Sequence, residues 1–185
     1  NRLLSRVVDA AAVSFESTVS FFGRRGFVTG NPVRPEFFEG YEGDEGYEGD
    51  EGYEGHEGAR DERRARVLIF GGSQGAHAIN VAMVEAAPRL AAAGGVDVTH
   101  QTGERDVELV RRGYREAGLA ARVEPFLYAM DREMKSADLV ISRAGATTIA
   151  ELTAAGRAAI LIPLPTAAGG RTDLEGFAKA AGYAH

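Results

Sequence analysis

Short apolar runs alternate along most of this chain with longer segments in which apolar residues return every third or fourth position. The first rhythm belongs to strands buried on both faces, the second to helices with one buried stripe. Read this way, the segment after residue 65 predicts strands over 66–70, 96–101, 121–125, 139–142 and 159–162. Helices are predicted over 76–92, 106–117, 130–136 and 147–155. Ile79, Met83, Ala87 and Leu90 form the apolar stripe of the first long helix, and the run from Ala158 to Ile162 reads as a buried strand. Ahead of this lie the end of a helix around Leu3, Leu4, Val7 and Val8, a strand over 11–15 and a short one over 26–29; after Leu174 a last helix is expected. Strands that alternate with helices predict an α/β, Rossmann-like parallel sheet, with any ligand at the carboxyl ends of the strands.

Between these two parts stands a stretch with neither rhythm. Gly40-Tyr41-Glu42-Gly43-Asp44-Glu45 is repeated as residues 46–51 and again as 52–57, with His56 in place of an aspartate. It has no aliphatic residue and its glutamates repel one another, so it is expected to be a disordered acidic insertion, within residues 39–64. Calcium capture is the other reading, but the twelve-residue loop spacing with its closing Glu is missing.

The insertion changes the meaning of the charge. The net charge is −6, and residues 39–58 alone carry nine acidic side chains and no Lys or Arg, so the remainder stands at +3. That suits anionic ligands but lacks the dense basic stripe of a nucleic-acid binder, and no nucleic-acid partner is expected. The chain has no cysteine, which excludes disulfides and thiolate metal sites, and no apolar run reaches the length needed to span a membrane. Its 185 residues, 44% of them apolar, have room for one full domain and part of another.

Candidate chemistry sits at two strand-to-helix turns. Val67-Leu68-Ile69-Phe70 runs into Gly71-Gly72-Ser73-Gln74-Gly75-Ala76, and Leu139-Val140-Ile141-Ser142 runs into Arg143-Ala144-Gly145-Ala146-Thr147-Thr148, followed by Glu151. A helix start exposes unpaired N–H groups and a partial positive charge, so two such starts suit a diphosphate. Glu151 falls one helical turn after Thr147, where its carboxylate can accept both hydroxyls of a ribose. The bland readings are a tight turn for the glycines and a solvated carboxylate for Glu151. The first turn is neither a Walker A loop nor GxGxxG, and the next strand ends in His100-Gln101 rather than the acid of a dinucleotide site. His100 reads as a strand-end residue, His77 as a solvated helix residue, and Arg143 as a partner for an acid such as Asp138. No metal cluster or catalytic triad can be assembled.

Taken in order, Asn1-Arg2-Leu3-Leu4, Val13-Ser14-Phe15-Glu16, Thr29-Gly30-Asn31-Pro32-Val33-Arg34, the two turns, His100-Gln101-Thr102-Gly103 and Pro125-Phe126-Leu127 with Met130 resemble the MurG family of peptidoglycan glycosyltransferases. The resemblance covers residues 1–38 and 66–168. It implies a hexosyltransferase of the GT-B type, with two Rossmann-like domains facing a cleft, that moves N-acetylglucosamine from UDP-N-acetylglucosamine to lipid I, giving lipid II. Residues 1–33 are then the tail of the N-terminal, acceptor-binding domain, and residues 34–185 are a partial C-terminal domain that binds the UDP-sugar. Arg34 and Ser73 are implied to contact the diphosphate, Leu127 to offer backbone hydrogen bonds to uracil, and Ala146 and Thr147 to present N–H groups to phosphate. Thr148, Ile149 and Ala150 complete the donor-binding turn, and Glu151 holds the ribose hydroxyls. No metal or cofactor is implied.

Two departures from the family pattern accompany these implications. The family's N-terminal glycine-rich loop lies upstream of Asn1, so the lipid I acceptor is expected to meet a missing N-terminal domain, and the fragment alone is expected to be inactive. After Ala168, the sequence Gly169-Gly170-Arg171-Thr172-Asp173-Leu174-Glu175 lacks the family's His-Gln and Asn. The implied location is the cytoplasmic face of the bacterial membrane, with peripheral contact. The alternative function is a non-catalytic nucleotide-sugar-binding subunit of a split glycosyltransferase.

Overall fold

The computed structural model describes Ser5 and residues 7–38, 64–72 and 76–163. The acidic repeat, Leu3 and Leu4, Ser73 and the helix expected after Leu174 lie outside the described residues. Val7, expected at a helix end, is exposed.

Strands β1 (Ala11–Val13) and β2 (Gly26–Val28) pair in parallel as a two-stranded sheet, with the short helix α1 (Glu16–Val19) between them. The first strand is shorter than expected because Phe15, although apolar, takes the extended N-cap position of α1.

The larger unit contains β3 (Ala65–Phe70), α2 (Ala76–Ala93), β4 (Val96–Gln101), α3 (Val107–Glu116), β5 (Ala121–Glu124), α4 (Met130–Ser136), β6 (Leu139–Arg143), α5 (Ala146–Ala155) and β7 (Ala158–Ile162). The strands form one parallel sheet in the order β5-β4-β3-β6-β7, the doubly wound arrangement expected of a Rossmann-like domain. Phe70 is level with Gln101 on one side and Ser142 on the other, so the strands that flank the reversal of order end together.

Alternation along β3 divides the core. Leu68 and Phe70 face a cluster with Leu127, Met134, Val140 and Leu152, whereas Ile69 faces Ile79, Ala87, Val98, Val110 and Tyr114. The predicted stripe of α2 is thus buried, with Met83 and Leu90 packed against the second cluster. The first cluster also contains Phe37, only 1% exposed, from a single 3₁₀ turn, Pro35–Phe37, that follows Arg34. Buried Lys135 of α4 fastens this turn by donating to the Glu36 carbonyl.

One expectation is corrected. The run from Ala158 to Ile162 is a strand, but it is not buried: Ala158, Ala159 and Ile160 are exposed. Among the described residues β7 pairs with β6 and lies at the edge of the sheet, and an apolar run has the same composition at an edge as at the centre.

Helices α2 and α3 meet where α3 has Gly113. A Cβ there would lie 2.5 Å from Cγ1 of Val84, closer than real Cβ atoms approach another atom. Because Val84 is β-branched and stiff on its helix, it has little room to give. Gly113→Ala is therefore expected to destabilise the protein by about 1–2 kcal/mol, although alanine is the better helix former. Adding Val84→Ala should recover part of that loss by making room. Urea unfolding of the two single variants and the double variant measures the coupling; strict additivity would show that the helices do not depend on this close approach.

Candidate functional site

The carboxyl ends of β3 and β6 border the point where strand order reverses, and both predicted turns are there. Gly72 follows β3 with φ +65°, a conformation that favours glycine, so the chain turns toward α2 at a residue suited to it. Ser73, the residue implied to touch a diphosphate, lies outside the described residues. On the other side, β6 leads through Ala144 to Gly145, the extended N-cap of α5. Glycine has no side chain to cap the helix, and the first turn carries no acidic residue. The first N–H groups of α5, from Ala146, Thr147 and Thr148, are thereby left facing the crevice edge with the positive end of the helix dipole. Ala146 and Thr147 are exposed and Thr148 half-buried, whereas Ile149 is buried and packs inward, with Ala150 between these extremes.

Glu151 lies one turn further along α5 and is mostly buried, its side chain 13% exposed. Its Oε1 is 3.4 Å from Nη2 of Arg34. The guanidinium of Arg34 also stacks over the ring of Phe37, with Cζ 4.9 Å from the centroid. Two residues 117 positions apart, both predicted for the site, thus meet because buried Phe37 anchors the segment behind Arg34. Arg34 reaches Glu151, the residue implied to hold a ribose.

Leu127 follows β5. Its side chain is buried in the first cluster, and its N–H donates to Oε1 of Gln101 at 2.9 Å. Among the described residues its carbonyl has no hydrogen-bond partner. Of the backbone groups expected to meet a base, one is thus engaged inside the protein and one is open. Phe126 and Tyr128, on either side, are exposed and pack edge to face, with centroids 5.0 Å apart.

His100 stands near the end of β4, as expected of a strand-end residue, and there it is fully buried. Asn80 of α2 donates its amide to the Thr102 carbonyl at 3.0 Å and to Asp106 Oδ2 at 2.9 Å, leaving Oδ1 to accept from His100 Nε2 at 3.0 Å. With its proton on Nε2, His100 accepts at Nδ1 from the Tyr114 hydroxyl, 2.7 Å away. Burial pushes His100 down to about 4 and raises the Tyr114 phenol, so both are neutral at physiological pH. His77 is exposed, as expected, yet its Nδ1 lies 2.8 Å from Asp106 Oδ2. Burial alone would raise Asp106, but the hydrogen bonds from Asn80 and His77 and the charges of His77 and Arg105 outweigh it, and the net shift is downward. Sequence reasoning missed this network because each member reads as an ordinary polar residue of its own element. Asp138 does not wait for Arg143 but accepts from the Arg66 N–H at 2.7 Å, while Arg143 donates to the Pro163 carbonyl at 3.0 Å.

Comparison with known proteins agrees with this geometry. The model of the glycosyltransferase family 28 C-terminal domain matches residues 66–175. A UDP-N-acetylglucosamine–N-acetylmuramyl-(pentapeptide) pyrophosphoryl-undecaprenol N-acetylglucosamine transferase from Anaeromyxobacter sp. (strain Fw109-5) is 45% identical over 170 residues, covering 91% of this chain and 41% of the relative. The enzyme of the same name from Pelobacter propionicus is 47% identical over 176 residues, covering 90% and 46%. The crystal structure of Acinetobacter baumannii MurG superposes with a TM-score of 0.64 at 29% identity, covering 96% of this chain and 45% of that one. The chain therefore spans less than half the length of these relatives, and its fold corresponds to the C-terminal half of a GT-B glycosyltransferase.

The network predicts a pH response. His100 takes a proton near pH 6.5 when unfolded but only at about 4 when folded. Between these values the unfolded chain binds more protons, so stability is full above 6.5 and falls as the pH drops toward 4, by up to about 3 kcal/mol. Asp106, depressed when folded, holds its contribution down to lower pH and loses it below the His100 window. Urea unfolding of the parent and of His100→Asn at pH 7.5, 6 and 5 tests the assignment. The parent should lose stability across this range more steeply than the variant, and equal slopes would remove His100 as the cause.

Proposed function

The chain belongs to the glycosyltransferase family 28 C-terminal domain family, and on that premise we propose that it is the donor-binding part of a transferase that moves N-acetylglucosamine from UDP to lipid I in peptidoglycan synthesis. The observation that carries this reading is the joining of three features at the β3/β6 switch point: the glycine turn after β3, the uncapped start of α5, and Glu151 with Arg34 one turn above it. The names printed for the relatives supply the sugar nucleotide and the acceptor.

In this reading residues 34–185 are the donor domain and residues 1–33 the tail of the acceptor domain. Two observations support that division. β1 and β2 form a sheet of their own, and from Val33 onward the chain joins the core of the larger sheet. The diphosphate lies against the N–H groups of Ala146, Thr147 and Thr148 and against Ser73, where the helix dipole stabilises the charge that develops as UDP departs. Arg34 leaves Glu151 for the diphosphate, and Glu151 then accepts from the ribose hydroxyls. Leu127 presents its carbonyl to the N–H of uracil. Deprotonation of the acceptor hydroxyl falls to the N-terminal half present in the relatives, which also meets lipid I and the cytoplasmic face of the membrane. Within the described residues of this chain, no helix is long and apolar enough to cross a membrane.

Two measurements test the reading. Calorimetry in EDTA should show that UDP binds more tightly than ADP or NAD; equal or tighter NAD binding would overturn it. In addition, Glu151→Ala should weaken UDP binding by about 2–4 kcal/mol through loss of charge-assisted hydrogen bonds, and Glu151→Gln by less. Undiminished affinity in Glu151→Ala would remove Glu151 from the site.

A further inference from the structure

We infer that Gln101 is a positioning residue for nucleobase recognition, holding Leu127 so that its carbonyl is the group that reads the base. The inference rests on the donor-binding reading above and deepens it. Three consecutive residues at the end of β4 hold the segment that follows β5. Gln101 Oε1 accepts the Leu127 N–H at 2.9 Å, the Thr102 N–H donates to the Glu124 carbonyl at 2.9 Å, and the Gly103 N–H donates to the Pro125 carbonyl at 3.0 Å. The last two continue the parallel ladder of β4 and β5, which pairs Gln101 with Glu124 at its end. The first is different in kind, because a side chain extends the ladder by two residues to a position with no strand partner.

The consequence for Leu127 is geometric. Its side chain is locked in the core beside Phe37 and Met134, and its N–H is locked by Gln101. With both fixed, the place and φ of Leu127 are set and only rotation about its ψ aims the carbonyl, which is without a partner among the described residues. An acceptor held at the carboxyl edge of a parallel sheet suits the ring N–H of uracil, whereas the donors of adenine and cytosine are exocyclic amino groups that stand at a different point on the base edge. Gln101 cannot be replaced in this task by an apolar residue of similar size, which would leave the Leu127 N–H unmatched and the segment free to turn.

Gln101→Leu removes the acceptor, and Gln101→Glu keeps one. The full chain and both variants are titrated with UDP, ADP and inorganic diphosphate, and their melting temperatures are recorded. Gln101→Leu should bind UDP about 10-fold more weakly, with a narrower preference over ADP, while inorganic diphosphate binding changes by less than about 2-fold. Gln101→Glu should regain most of the UDP affinity. A Gln101→Leu protein of native melting temperature that keeps both affinity and preference overturns the inference. So does one that binds UDP more tightly, since Gln101 would then be competing with the base for the Leu127 N–H. If the parent itself shows no preference for UDP, the donor-binding reading fails instead. Amide exchange on the unliganded parent gives an answer independent of any variant: Leu127 should be protected, and exchange at the rate of an open chain would overturn the inference.

Discussion

Because every pair in the five-stranded sheet is parallel, each connection must cross a face of the sheet and return to the same starting edge, so all the strands deliver their carboxyl ends to one side. The order β5-β4-β3-β6-β7 sends the chain outward in one direction from β3 and then in the other, and the connections part between β3 and β6. A crevice at that place follows from topology before any side chain is chosen. The glycine turn and the start of α5 stand at it because they follow the two strands that border it. The two core clusters, one on each face, hold this arrangement through alternating residues of β3.

On that frame, polar groups are buried only where they join elements. Among the described residues no buried side-chain nitrogen or oxygen lacks a partner. The chain Tyr114–His100–Asn80–Asp106–His77 links α3, β4, α2 and the start of α3, and each member donates or accepts in a way fixed by the next. A network of this kind is costly if any member fails, since the partner left behind would be an unsatisfied buried group. Its effect is to fix the register between the first turn of α2 and the end of β4. Both lie beside the proposed ligand, the first at the diphosphate and the second at the base. Rigidity there lowers the conformational cost of binding.

Arg34 and Glu151 show the same logic with charge. The arginine is more than half exposed, so its ion pair is partly screened, yet its stacking on buried Phe37 limits where it can go. The carboxylate is nearly enclosed and needs a donor when no ligand is present. Arg34 supplies it, and a ligand bearing both hydroxyls and a diphosphate offers each member of the pair a replacement partner.

The sequence by itself determined the elements of the larger unit to within a residue or two at most ends, the parallel α/β class, and the two helix starts that carry the proposed site. These are local properties: the period of apolar residues, and glycines at the ends of strands. It also marked Arg34, Leu127 and Glu151, through a resemblance carried by ordered motifs. What it left open depended on partners far apart in the chain. The apolar run of β7 carries no information on whether one strand or two will lie beside it, so its exposure awaited the strand order. His100 looks like any strand-end histidine until Asn80 and Tyr114 close around it. The meeting of Arg34 with Glu151, and of Gln101 with Leu127, was decided only by packing, because side-chain contacts depend on how whole elements are placed rather than on the pattern within any one of them.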